Sequence, residues 1–324
     1  IVIFFVLSLL PKGVAKNCFN KYRGLEWCTK SVRSVTKFRM KVLTVVLVVS
    51  LGLAASQVFS DEPDFSYGPN AESEWGNAYP ECNGTMQSPI PLSAMTARPG
   101  LEAQPLELTN YQLDPTQVTV INDGKLAIYR FQFPDGANVT ARGGPLQGIF
   151  QFDSLHFHWG AASNRGSEHV IDSFMGRKRY AMEMHLVFFN QQYGSLDNAA
   201  PLENGLAVLG IFFTNSTEQP DYGWIPPLNE VQTAGTDYVL PDPTVFNIKG
   251  LIGARRRPYF SYHGSLTTPP CYETVTWMVQ RKPLPISEAQ LDTFRMLRMP
   301  NGEPLVDNFR TLQDVNDRPI FLYR

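Results

Sequence analysis

The stretch Leu155-His156-Phe157-His158-Trp159-Gly160 decides how the rest of the chain is read. It is a strand-like run, and in a strand residues two apart share a face, so His156 and His158 point one way and Phe157 the other. A second strand-like run, Ala181-Met182-Glu183-Met184-His185-Leu186-Val187, supplies a third imidazole if it pairs beside the first. Three neutral ring nitrogens at about 2 Å leave a tetrahedral zinc ion one open position for water, which is the catalytic rather than the closed structural arrangement. Taken alone, His-x-His in a strand fits two hydrogen-bonded core histidines as well as it fits two ligands.

The flanking sequence bears on that choice. Gly166-Ser167-Glu168-His169 follows the first run, Glu183-x-His185 lies within the second, and Ser265-Leu266-Thr267-Thr268-Pro269-Pro270 comes far downstream. Gln87-Ser88-Pro89-Ile90, Gly205-Leu206-Ala207-Val208-Leu209-Gly210 and Val275-Thr276-Trp277 join them in order. From about Phe65 to the C-terminus the chain resembles the α-class carbonic anhydrases of the secreted animal type. The resemblance implies a mainly β (α+β) fold with a large twisted, mostly antiparallel central sheet and short peripheral helices. It also implies a zinc enzyme that reversibly hydrates carbon dioxide to bicarbonate and a proton by attack of hydroxide generated at the metal. Zinc lowers the pKa of its water towards neutrality, an effect for which carbonic anhydrase is itself the standard example.

Residue by residue, the resemblance assigns His156, His158 and His185 to the metal and Thr267 with Glu168 to catalysis. A threonine hydroxyl has one proton to give. If Thr267 gives it to ionised Glu168, its oxygen can only accept, so the nucleophile turns its own proton to Thr267 and its free lone pair to substrate. The plainer alternative makes Glu168 an ion-pair partner and Thr267 a turn residue. Ligand histidines need the second ring nitrogen fixed, a role matched by Glu183 for His185. For His156 the family usually offers Gln, where this chain has Ser154, whose shorter hydroxyl lowers the expected zinc affinity. His169 is expected to be a buried, hydrogen-bonded structural histidine, and His263 has no assigned role.

Val187, Val208, Leu266, Val275 and Trp277 match the apolar side of the family's substrate pocket, and Thr268 its polar side. Fast members relay the product proton through a cavity histidine, and by the Asn122-Asp123-Gly124 match that position holds Lys125. Lysine ordinarily keeps its proton at neutral pH, so it relays poorly and the expected enzyme is moderate in speed. Carbon dioxide, bicarbonate and water are the implied substrates, with anions and sulfonamides as implied inhibitors. A binding or mineral-associated scaffold on the same fold is the rival function, expected where ligand histidines are lost. A zinc peptidase would need a His-Glu-x-x-His pair on a helix, and the sequence has none.

Met40-Lys41, the apolar run Val42 to Ala55 and the small residues Ala54-Ala55-Ser56 read as a secretory signal peptide over 40–56. Residues 1–39 then form an upstream extension in which Cys18 and Cys28 have no assigned role, and 57–324 form one domain. Neither apolar run, Ile1 to Leu10 or Val42 to Ala55, reaches the roughly 18 residues of a membrane span. No apolar tail follows Arg324, so neither a lipid anchor nor a C-terminal span is expected. Residues 57–324 carry 19 Lys/Arg against 29 Asp/Glu, a net charge of −10 with His neutral, which argues against a nucleic-acid partner. The oligomeric state is left open.

Cys82 and Cys271 are the two cysteines beyond the signal. The resemblance to secreted members implies that they are bridged, tying an N-terminal arm to the threonine loop, as an oxidising compartment permits; two free buried thiols are the alternative. Closing a loop of 190 residues is worth at most about 5 kcal/mol. The sequons Asn83-Gly84-Thr85, Asn138-Val139-Thr140 and Asn215-Ser216-Thr217 are glycosylation candidates.

For the remaining elements, Val118 to Ile121, Leu126 to Phe133, Val139 to Arg142 and Ile149 to Phe152 alternate as strands. Asp-Gly at 123–124 and again at 135–136 reads as a hairpin signal. Gly205 to Phe213 reads as a strand buried on both faces at the sheet's centre. Asp61 to Pro80 reads as an irregular arm packed by ring contacts. Ser287 to Arg298 reads as a helix with a Ser287/Gln290 capping box and an Ile286–Leu291 staple, and Pro226 to Thr233 fits a second.

Overall fold

The computed structural model describes residues 65–101, 105–217, 228–246, 248–252 and 258–324. The signal-peptide and upstream segments, Cys18 and Cys28 lie outside these residues, as do the start of the arm and the first two residues of the 226–233 segment.

Sixteen strands are described: β1 (Pro91–Ser93), β2 (Arg98–Pro99), β3 (Glu107–Thr109), β4 (Gln117–Asn122), β5 (Ala127–Gln132), β6 (Thr140–Arg142), β7 (Phe150–Trp159), β8 (Val170–Ser173), β9 (Gly176–Lys178), β10 (Met182–Asn190), β11 (Leu206–Asn215), β12 (Thr236–Val239), β13 (Tyr259–Gly264), β14 (Val275–Gln280), β15 (Leu284–Ile286) and β16 (Phe321–Tyr323). The main sheet runs β12-β4-β5-β7-β10-β11-β14-β13-β16-β2. Its pairs are mostly antiparallel, with β11–β14, β11–β15 and β16–β2 parallel. A smaller sheet has the order β1-β8-β9. Among the described residues no helix is long and apolar enough to cross a membrane.

The longest strands, β7, β10 and β11, lie side by side at the centre, and β11 is apolar on both faces. β11 is buried over its first eight residues and β10 over all nine. One face carries a core that includes Phe157, Met184, Leu186, Leu209, Ile211 and Phe294. The other carries Val187, Val208, Phe212, Val275 and Trp277, and the histidines open on this second face.

Several elements differ from the sequence-based expectation. β4 and β5 form the expected hairpin around Asp123-Gly124, but Pro134-Asp135-Gly136 is a single 3-10 turn. The strand after it, β6, pairs with β3 and β7 instead of β5, because the long β7 takes the free edge of β5. The arm holds two short helices, Pro69–Glu72 and Trp75–Ala78, and a 3-10 turn, Pro80–Asn83. Its ring contacts are as expected, with Phe65, Tyr67 and Trp75 meeting edge-to-face at 5.3–6.1 Å. Within the 226–233 segment the described part is a 3-10 turn, Leu228–Val231. The helix Glu288–Arg295 has both halves of the capping box, but ends three residues early. Leu297 is still buried there, and the Arg298 amide is drawn off to the Gln232 carbonyl.

Candidate metal centre

The register of β7 against β10 assembles the site. His185 lies opposite His156, and Glu183 opposite His158. Directly opposed residues share a face, so all four side chains project together. One nitrogen of each histidine enters a cluster, with His158 Nε2 3.1 Å from His185 Nδ1, and His185 Nδ1 3.3 Å from His156 Nε2. Ligands at 2.0–2.1 Å on a tetrahedral cation would stand about 3.3 Å apart, so the donor set fits zinc. Burial, chiefly, holds the His156 and His158 imidazoles below their ordinary pKa. The other two cluster histidines push His156 further down, and His185 does the same to His158, so lone pairs are available near neutral pH. Three facing lone pairs are mutually unfavourable without a cation to share.

The rear nitrogens differ. His158 Nδ1 donates to the Asn308 main-chain oxygen at 2.7 Å, and His185 Nε2 donates to Glu183 Oε1 at 3.0 Å. Ser154 is buried beside the site, but no hydrogen bond joins it to His156 among the described residues. The hydroxyl is too short to span two residues along the strand.

Glu183 also accepts from the His169 ring at 2.7 Å and its amide at 2.8 Å. His169 Nε2 in turn lies 2.7 Å from the Tyr262 hydroxyl, which lies 2.8 Å from Ser88 Oγ. Burial pushes the Glu183 carboxyl up, but the two histidines outweigh it and hold the group well below the usual range. Gly210, opposite His185 on β11, gives this carboxylate its room: a Cβ there would stand 3.0 Å from Glu183 Oε1.

Glu168 is fully buried. Its Oε1 accepts from the Arg310 amide at 2.8 Å, while Oε2 points at the cluster, 3.5 Å from His158 Nε2 and 4.0 Å from His185 Nδ1, with no hydrogen-bond partner among the described residues. Thr267 is buried, but the Thr267–Glu168 hydrogen bond anticipated from the sequence is not closed among the described residues, because Oε2 is turned to the rings. Leu266, Thr267 and Thr268 lie on a loop shaped by Leu266 N–Tyr272 O at 3.0 Å and Cys271 N–Thr268 O at 2.9 Å. Val187, Val208 and Trp277 sit opposite one another across β10, β11 and β14 and cluster with Val275 and Leu266 on the histidine face.

Lys125 is half-buried with Nζ 4.8 Å over the Phe65 ring, and its amide bonds Asp123 Oδ1 at 2.8 Å. His263 bonds the Glu273 main-chain oxygen at 2.9 Å, away from the cluster. Cys82 and Cys271 are joined in a disulfide. Asn83, Asn138 and Asn215 are all exposed.

Asn308, Arg310, Tyr262 and Tyr67 escaped sequence reasoning. Asn308 and Arg310 act through main-chain atoms, which any residue type supplies. Tyr67 is half-buried, with its hydroxyl buried and unpartnered among the described residues. Burial, then the Glu168 charge, raises its pKa.

Residues 70–324 match the sequence model of the eukaryotic-type carbonic anhydrases. The chain belongs to this family. Carbonic anhydrase 7 of Mus musculus is 36% identical over 254 residues, covering 76% of this chain and 92% of the relative. Carbonic anhydrase 6 of the same species is 33% identical over 287 residues, covering 86% and 85%. Human carbonic anhydrase 3 is 32% identical over 257 residues, covering 78% and 94%. Carbonic anhydrases are lyases, and the histidine cluster of this member is a group that could hold a metal ion.

Proposed function

We propose that this carbonic anhydrase holds one zinc ion on His156 Nε2, His158 Nε2 and His185 Nδ1 and interconverts carbon dioxide and bicarbonate. The observation that carries this is the convergence of three ring nitrogens at tetrahedral ligand spacing. When bound, the ion supplies a Lewis acid that ionises water near neutral pH. The chain's own residues do the remainder. Asn308 and Glu183 fix the tautomers of His158 and His185 so that the lone pairs face inward. Glu168 Oε2 is an unpartnered acceptor among the described residues; turned from the rings to Thr267 it would take that hydroxyl's proton, which leaves the Thr267 oxygen only lone pairs to offer and so orients the attacking oxygen. Val187, Val208, Leu266, Val275 and Trp277 keep water from the carbon dioxide, and Thr268 lines the polar side.

Lys125 stands where a proton relay is needed, and its ammonium lies over an aromatic ring. Turnover is therefore moderate and depends on external buffer. Anions and sulfonamides compete for the open position. Residues 40–56 direct the chain to the secretory route, where the Cys82–Cys271 disulfide is stable and the exposed sequons Asn83, Asn138 and Asn215 accept glycans.

The test is metal analysis with a stopped-flow hydration assay. One zinc per chain and carbon dioxide hydration are expected, and His185→Ala should lose both while keeping the circular dichroism of the folded protein. Full activity in that variant would remove the proposed mechanism.

A further inference from the structure

The hairpin β8–β9 carries side chains that neither the fold nor the metal centre uses. Ser173 pairs with Gly176, so Phe174 and Met175 are the two residues of its loop. They are 88% and 85% exposed. Two-residue loops favour Asn, Asp and Gly, whose backbones accept positive φ; here only Gly176 takes it, at 109°. Ser173 Oγ holds the turn, accepting from the Met175 amide at 3.2 Å and donating to the Gly176 carbonyl at 3.1 Å. The turn thus needs neither large side chain, and placing two of them at a convex tip exposes apolar area without structural return.

Cations stand behind the tip. Arg177 is matched by Asp172 at 2.7 and 2.9 Å. Lys178 lies 4.9 Å over the Tyr180 ring, and the charge of Arg281 also reaches Tyr180. Lys178 is two residues beyond Gly176, about 7 Å back along the strand, which is the depth between acyl boundary and headgroup for an interfacial anchor. This basic cluster contrasts with the net charge of −10 over residues 57–324, so an anionic surface attracts this tip and repels the rest.

We propose that the β8–β9 hairpin docks the protein on an anionic lipid surface, with Phe174 and Met175 entering the interface and Lys178 and Arg281 meeting the headgroups. A protein partner fits less well, because two side chains on a convex tip fall far short of the roughly 800 Å² that each side of a stable protein interface buries.

The test uses the processed protein, residues 57–324, with phosphatidylcholine vesicles, with and without about one-third phosphatidylserine. Cosedimentation with the phosphatidylserine vesicles alone, released by high salt, is expected. The Phe174→Ser/Met175→Ser variant should bind about tenfold more weakly with carbon dioxide hydration unchanged. Difference spectra of Phe174→Trp against wild type should show a blue-shifted emission when those vesicles are added. Equal binding by the double variant, or no shift from Phe174→Trp, overturns the proposal. So does a self-associated species in sedimentation velocity that the double variant disperses while vesicles have no effect, an outcome that gives the tip to a protein contact.

Discussion

His158 and His185 are each held from behind, whereas the rear nitrogen of His156 has no hydrogen bond among the described residues. Outer partners of this kind are worth about 10- to 100-fold in metal affinity. Ser154 shares the strand face of His156, and a glutamine there has the reach that serine lacks. Ser154→Gln should therefore raise zinc affinity by about tenfold, measured by competition with a chromophoric chelator; unchanged affinity would show that His156 is already positioned by packing alone. At position 125 the question is proton transfer. Lys125→His introduces a group that titrates near neutral pH and removes the ammonium from the Phe65 ring. Turnover should rise several-fold in dilute buffer and stay unchanged in concentrated buffer, where the buffer itself carries the proton.

At the scale of elements, the site is the meeting of β7, β10 and β11. Gly210→Ala places a methyl 3.0 Å from Glu183 Oε1, an oxygen that His169 and His185 both hold. The carboxylate cannot withdraw without giving up one of them. The substitution should destabilise the protein by about 1–3 kcal/mol and weaken zinc binding, both readable in melts with and without added zinc. The same packing sets a pH dependence. The folded-state pKa values of His156 and His158 are lowered, so below the unfolded value of about 6.5 the unfolded chain binds more protons than the native one. The melting temperature of the metal-free protein should hold above pH 6.5 and fall as pH drops through and below it. Much of this was legible in sequence, because strand periodicity alone put His156 and His158 on one face and marked β11 as central. The rest was not, because it depends on pairing across long separations. Asp-Gly at 135–136 has the same composition as Asp-Gly at 123–124, yet only the latter closes a hairpin, since β7 competes for the edge of β5. Asn308 and Arg310 enter the site from a segment about 150 residues away from their partners, through backbone atoms that leave no mark in composition.

At the scale of the molecule, the arm and the threonine loop are joined by one covalent link. Trp75, Cys82 and Cys271 form a small apolar cluster with Phe65, Tyr67 and Tyr79, separate from the two large cores on the sheet. Polar and cation–π contacts hold it as well: Gln87 Nε2 donates to the Glu81 and Cys271 carbonyls at 3.0 and 3.3 Å, Glu72 accepts from the Thr311 amide at 2.9 Å, and the Arg310 guanidinium and the Lys125 ammonium lie 5.2 and 4.8 Å over the Trp75 and Phe65 rings. The Cys82–Cys271 bridge, at a sequence separation of 189, is the covalent constraint on this satellite cluster. Removing it with Cys82→Ser/Cys271→Ser should lower the unfolding free energy by about 2–5 kcal/mol, measured in denaturant without reductant. The ligands lie on β7 and β10, anchored in the sheet, whereas Thr267 and Thr268 lie on the loop that ends at Cys271. The variant should therefore keep its zinc and lose turnover, and its arm should become the first site of proteolysis. Loss of zinc in step with turnover would instead place the bridge in support of the metal centre and contradict this division of the molecule.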